Sequence, residues 1–190
     1  MKKQCCAFTG HRPHKFLWRN DETDERCVRL KANLVEQITK LIERGITDFL
    51  LGMAEGTDLW AAQAVLDLRE KNPALKLHCI LPHKGQPDKW SATAREQYFS
   101  ILEQADSIVY VNRDYHKSCM LERNRFLVDH ASFLLAIYNG ECRGGTAATV
   151  RYAQKVGREI TILDPSADGI SPNYKCEQTL KALRFPCSKQ

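Results

Sequence analysis

Residues 133–153 most constrain what this chain can become. An apolar stretch, Phe133-Leu134-Leu135-Ala136-Ile137-Tyr138, runs through Asn139-Gly140-Glu141-Cys142-Arg143 to Gly144-Gly145-Thr146, and a helix-like segment follows. The order is strand, glycine loop, helix. Paired glycines let the backbone approach a ligand closely, and a helix start offers free N–H groups to an anion. Two earlier glycine loops follow strand-like runs in the same way, one at Gly10 and one at Gly52. A chain built on this repeat must pair its strands in parallel, because the connections are far too long for hairpins.

The rest of the chain keeps the pattern. Strands are expected at Cys5–Thr9, Asp48–Leu51, Leu75–Leu81, Ser107–Val111, Phe133–Tyr138 and Glu159–Leu163. Helices are expected over 24–44, 57–70, 88–104, 119–131 and 146–156, with Thr57 or Asp58 capping the second. The sum is an α/β fold: a Rossmann-like, doubly wound, mainly parallel six-stranded sheet with helices on both faces. The expected strand order is 3-2-1-4-5-6, which sets the loops after strands one, four and five side by side. No linker, repeat or low-complexity run divides the chain. It reads as one domain, 1–190, with a core over 4–164 and a C-terminal extension over 165–190 that holds a helix-like piece near 175–184.

Composition narrows the class. Hydrophobic residues are 43% and charged residues 27%, ordinary for a globular protein, and the net charge of +5 is spread rather than clustered. The eight cysteines include no C-x-x-C pair, so a structural zinc site is not expected and no metal ligand is assigned. Met1-Lys2-Lys3-Gln4 leads straight into a strand rather than a signal sequence, and no run approaches the ~20 apolar residues of a membrane span. The expected compartment is the cytoplasm, with no membrane partner and reduced thiols.

Three loops and one helix carry the candidate chemistry. In Thr9-Gly10-His11-Arg12-Pro13-His14-Lys15, Gly10 permits a sharp turn, while Arg12 and His11 are donors suited to phosphate. Phe16 and Trp18 are candidates to stack on a base or to pack beneath this loop, with packing the favoured reading. In Gly52-Met53-Ala54-Glu55-Gly56-Thr57-Asp58, the glycines resemble a phosphate loop in spacing, but no G-K-[ST] follows. The carboxylates Glu55 and Asp58 suit a ribose hydroxyl or a base, and Asp58 has helix capping as its structural alternative. Arg123 and Asn124 lie one turn into the fourth helix, within reach of the strand ends. Tyr115, in the loop before that helix, is a candidate base-stacking residue. Gly144, Gly145 and Thr146 complete the set.

Together these stretches resemble the SLOG superfamily, which joins DprA/Smf proteins with the LOG phosphoribohydrolases, and more narrowly its YpsA-like branch. The matching residues are Thr9-Gly10-His11-Arg12-Pro13, Gly52 through Ala62, Arg123-Asn124, and Gly144-Gly145-Thr146 with Thr149 and Tyr152-Ala153. The resemblance implies a Rossmann-like fold and a pocket for a nucleotide-derived ligand, NAD- or ADP-ribose-like, with no cofactor assigned. Two departures matter. LOG hydrolases follow the glycine–threonine turn with a catalytic Glu, whereas Ala147, Ala148 and Thr149 stand here, so enzymatic activity is left open. DprA-type proteins grip single-stranded DNA with a basic groove, and this chain has no clear basic stripe, so nucleic acid is not the expected partner.

The first expectation is therefore a cytosolic nucleotide-binding sensor or regulator. A nucleoside-phosphate hydrolase, with Glu55, Asp58 or Glu141 as acid, and a single-stranded nucleic-acid binder are the alternatives. A homo-oligomer is compatible with all three.

Overall fold

The computed structural model describes residues 4–166. The expected helix near 175–184, the rest of the C-terminal extension and the cysteines at 176 and 187 lie outside the described residues.

Six parallel strands form one sheet: β1 Cys5–Gly10, β2 Asp48–Leu51, β3 Lys76–Leu81, β4 Ser107–Tyr110, β5 Phe133–Ile137 and β6 Glu159–Leu163. Five α-helices connect them: α1 Glu25–Glu43, α2 Thr57–Arg69, α3 Ala92–Glu103, α4 Cys119–His130 and α5 Gly145–Lys155. A single 3-10 turn, Pro13–Lys15, folds the loop after β1. None of the described helices is long and apolar enough to cross a membrane.

The apolar runs explain the layering. β2 and β5 are buried at every position, as strands covered on both faces must be. Alternate side chains feed two cores. Phe8, Phe49, Leu51 and Leu77 pack with Leu34 and Ile38 of α1, Leu59 and Val65 of α2, and Tyr98 of α3. Ala7, Leu50, Ile80 and Leu134 face the other way, onto Leu127 and Val128 of α4 and Ala147 and Val150 of α5. Helices α1–α3 thus cover one face and α4–α5 the other.

The strand order is β4-β3-β2-β1-β5-β6 and corrects the expected 3-2-1-4-5-6. Right-handed crossovers with helices on one face step the chain in one direction across the sheet. The three helices α1–α3 share a face, so β2, β3 and β4 are laid down successively outward from β1. Only the connection through α4 crosses to the other face and returns the chain to the far side of β1. The loop after β4 therefore lies at the sheet edge, not beside the loop after β1. The switch point falls between β1 and β5, where a ligand crevice is expected.

Candidate functional site

The carboxyl end of β1 is clamped from two sides. Gly10 carries no side chain because a Cβ there would lie 2.4 Å from Thr57 Cγ2. Thr57 Oγ1 donates to the His11 carbonyl (3.0 Å), and Thr146 Oγ1 donates to the Gly10 carbonyl (3.0 Å). The starts of α2 and α5 are so held against the same turn. Thr9 is buried just before it.

A pocket of about 210 Å³ opens at this switch point. Its walls include Thr9, Gly10, His11 and Arg12 from the first loop, Asp58 from α2, Arg123 and Asn124 from α4, and Gly144, Gly145 and Thr146 from the start of α5. Met120, Arg143 and Glu141 also line it. Arg143 was not singled out by the sequence, because one arginine in a polar loop has no distinguishing pattern.

The start of α5 has the features of an anion seat. Gly144 is its N-cap, with φ +108°, and no side chain caps the first turn. That turn carries no acidic residue. Its N–H groups are directed outward from the helix start, where the helix dipole favours negative charge. Asn124 Nδ2 donates to Thr149 Oγ1 (2.9 Å), which donates in turn to the Gly145 carbonyl (2.8 Å). This chain of bonds fixes α4 against the turn.

Arg123 is the unusual member. Its side chain is only 5% exposed, and its Nε and Nη1 have no hydrogen-bond partner. The guanidinium lies over the end of β2, where a Cβ on Gly52 would sit 1.6 Å from Nη1. Its nearest charge is Asp58, with Nη1 3.7 Å from Oδ2. Asp58 Oδ2 also accepts from Ala54 N (3.0 Å). Burial pushes the Asp58 carboxyl upward, opposed by Arg123 and the Ala54 bond. Burial likewise lowers Arg123, opposed by Asp58. An arginine stays protonated under such pressure, so the pocket retains a poorly solvated positive charge.

The expected cap of α2 needs correction, and the expected residues Glu55, Gly56 and Tyr115 lie outside this pocket. Neither Thr57 nor Asp58 caps α2: the N-cap is Gly56, and Asp58 turns back to the loop preceding it. Glu55 and Gly56 do not join the pocket; they face a separate cleft beyond the first loop. Tyr115 does not line the pocket; it is 69% exposed and meets His83 edge-on at 5.4 Å. Phe16 and Trp18 do pack beneath the first loop, stacked at 4.8 Å, with Phe16 also 5.5 Å from Trp60.

Several contacts that carry no sequence signal also shape the site. Met53 takes a left-handed φ of 55°, and Gln86 Nε2 holds it there by donating to the carbonyls of Gly52 (3.2 Å) and Met53 (2.6 Å). His11 Nε2 lies 2.8 Å from Asn139 Oδ1, which ties the first loop to the loop after β5. Lys15 Nζ donates to Glu141 Oε2 (3.0 Å), a second tie across the mouth. The Lys15 bond and one from Asn139 hold the Glu141 carboxyl below its usual range. No cluster of three or more potential metal ligands occurs among the described residues.

The profile of the YspA SLOG family matches residues 6–166. The chain belongs to the YspA SLOG family. Among relatives of this family member, a UPF0398 protein of Bacillus pumilus is 33% identical over 151 residues, covering 78% of this chain and 80% of that one. A UPF0398 protein of Bacillus velezensis is 31% identical over 152 residues, covering 78% and 82%. Among solved structures, DNA processing protein A from Streptococcus pneumoniae aligns with a TM-score of 0.57 at 18% identity, covering 95% of this chain. The chain spans 57% of that protein. DNA processing protein A from Helicobacter pylori, described for its single-stranded DNA binding mode, aligns with a TM-score of 0.59 at 14% identity, covering 96% and 73%. At these identities the likeness establishes the fold.

Proposed function

We propose that this protein binds a nucleotide or nucleotide derivative through its phosphoryl group, as a cytoplasmic sensor or regulator. The observation that carries the reading is Arg123, a buried guanidinium whose Nε and Nη1 have no hydrogen-bond partner and whose ion pair to Asp58 is long at 3.7 Å, in the pocket that also takes in the uncapped start of α5. A buried guanidinium with so little hydrogen bonding is poorly compensated, and an anionic ligand in the pocket offsets its charge. Arg12, exposed at the rim, adds a second cation. A pocket of about 210 Å³ suits a phosphate and its sugar rather than a whole dinucleotide. Binding is favoured over hydrolysis because the first turn of α5 carries no carboxylate, while Asp58 and Glu141 are engaged with Arg123 and Lys15.

The test is thermal unfolding against AMP, ATP, NAD and ADP-ribose, with adenosine as control. A ligand present at 100 times its Kd adds about 2.7 kcal/mol of stability. Phosphorylated ligands are expected to raise Tm and adenosine is not, and the shift should shrink in Arg12→Ala and Arg123→Lys. No shift with any of them refutes the reading.

A second reading, single-stranded DNA binding, draws on the Helicobacter pylori neighbour's described binding mode and on Arg12, Lys15 and Arg143 around the pocket. Its signature is salt dependence: the log–log slope is about −0.7 per phosphate neutralised on a single strand. Oligonucleotide affinity that does not change with salt removes it.

A further inference from the structure

The first loop and the turn after β2 form a ridge with a cleft on each side. Residues 12, 14, 15, 54 and 58 face the phosphate pocket, whereas Pro13, Glu55, Gly56 and Leu59 face a second, larger cleft of about 700 Å³. The two share no lining residue. Gly56 is pressed onto Pro13, where a Cβ would lie 2.8 Å from Cδ, so the ridge is closely packed. The second cleft lies within the ~300–1,000 Å³ range of small-molecule sites.

Its chemistry is specific. Trp60 and the half-buried Trp90 line it, Trp90 being held edge-on by Tyr98 at 5.4 Å. The side chains of Arg19, Asn20, Glu55, Lys89 and Gln97 line it too, and none forms a hydrogen bond or ion pair with another described residue. Glu22, by contrast, is already engaged by Lys31 and by Trp60 Nε1. The unengaged charge is therefore two cations against one carboxylate. Arg19 also holds a left-handed φ of 52°, an uncommon backbone state for a residue with a side chain.

We propose that this second cleft binds a nucleobase together with its phosphate, at a site separate from the pocket around Arg123. Trp90 supplies a stacking surface, which tolerates any base. The amides of Asn20 and Gln97 and the Glu55 carboxylate supply donors and acceptors for the base edge. Arg19 and Lys89 attract the phosphate. A metal fits poorly, because one of the two carboxylates is already paired, and a lipid chain fits poorly because unengaged polar groups line the wall.

The experiment is titration of the full chain with AMP, GMP, CMP and UMP, and separately with a short oligothymidylate, followed by calorimetry and tryptophan fluorescence. Saturable quenching is expected. Trp90→Leu should weaken binding roughly tenfold or more, in line with base–aromatic stacking. Lys89→Ala and Arg19→Gly should weaken it further as salt is lowered relative to the parent, and the glycine also keeps the left-handed backbone. Arg12→Ala and Arg123→Lys should leave the quenching affinity unchanged while they remove only the part of the thermal shift that the phosphate pocket contributes, which separates this site from that pocket. Tighter binding of the oligonucleotide than of any mononucleotide identifies a strand as the source; equal binding identifies the free nucleotide. Absence of saturable binding overturns the proposal. So does affinity that survives Lys89→Ala and Arg19→Gly, a result that stands even if Trp90→Leu fails to fold.

Discussion

At Gly52 and Arg123 one residue's missing side chain is another residue's berth. The guanidinium occupies the place of the absent Cβ, 1.6 Å from its ideal position. Gly52→Ala must therefore displace Arg123, with overpacking that costs about 1–3 kcal/mol. Urea unfolding should register that loss, and calorimetry should register weaker binding of phosphorylated ligands. The glycine pair at the start of α5 divides differently. Gly144 stands at φ +108° with open space around it, so Gly144→Ala is a conformational penalty of about 1–3 kcal/mol rather than a clash. Gly145 has no left-handed φ, and a Cβ there would make an ordinary contact with Asn124 at 3.9 Å. Melting curves should rank Gly144→Ala well below the parent and Gly145→Ala close to it.

At the scale of elements, β4 depends on polar ties at its amino end. Asp106 accepts from Leu77 N (2.9 Å) and pairs with Lys76 (2.9 Å) and Arg69 (3.1 Å). His78 bridges the neighbouring strands, with Nδ1 2.7 Å from Ser107 Oγ and Nε2 2.9 Å from Asp48 Oδ1. Burial works against the ionised Asp106, but the Leu77 bond and the Lys76 and Arg69 cations outweigh it and hold its carboxyl below the ordinary range. A depressed carboxyl stabilises the fold at every pH above its unfolded value of about 3.9 and loses that effect as pH falls through the folded value. Asp106→Asn should cost about 1–2 kcal/mol at neutral pH. The gap between parent and variant, followed by urea unfolding, should close on acidification below the ordinary aspartate range. A gap that stays constant with pH would remove ionisation from the account.

At the scale of the whole molecule, the strand order leaves β4 as an edge with Ile108, Val109 and Tyr110 partly exposed. Such an edge offers unpaired backbone groups to other chains. Val109→Lys should raise the temperature at which light scattering begins, while leaving circular dichroism unchanged; scattering that begins at the same temperature would show that the edge is not the sticking surface. The same order determines how the site is assembled. Arg123 and Asn124 reach it because α4 carries the chain back across the sheet toward β1 and β5, not because the loop after β4 is a neighbour.

The sequence by itself determined the elements and their type. Apolar runs of strand length, glycine stops and helical periodicity are local signals, and each expected strand and helix between residues 5 and 163 is present, with α3 starting four residues later than expected. It also singled out Gly10, Arg12 and Gly144-Gly145-Thr146 as candidates, because glycine at a strand end before a helix start is a local signal, whereas Arg123 entered only through the resemblance to the SLOG superfamily. Only the tertiary structure decided the strand order, since neighbouring strands are chosen by which sheet face each crossover helix covers. It also decided that Asp58 pairs with Arg123 rather than capping its helix, that Glu55 faces a different cleft, and that Gln86 holds the turn at Met53. Those outcomes depend on contacts between residues far apart in the chain, and no local pattern of residue types encodes which distant partner a buried polar group will meet.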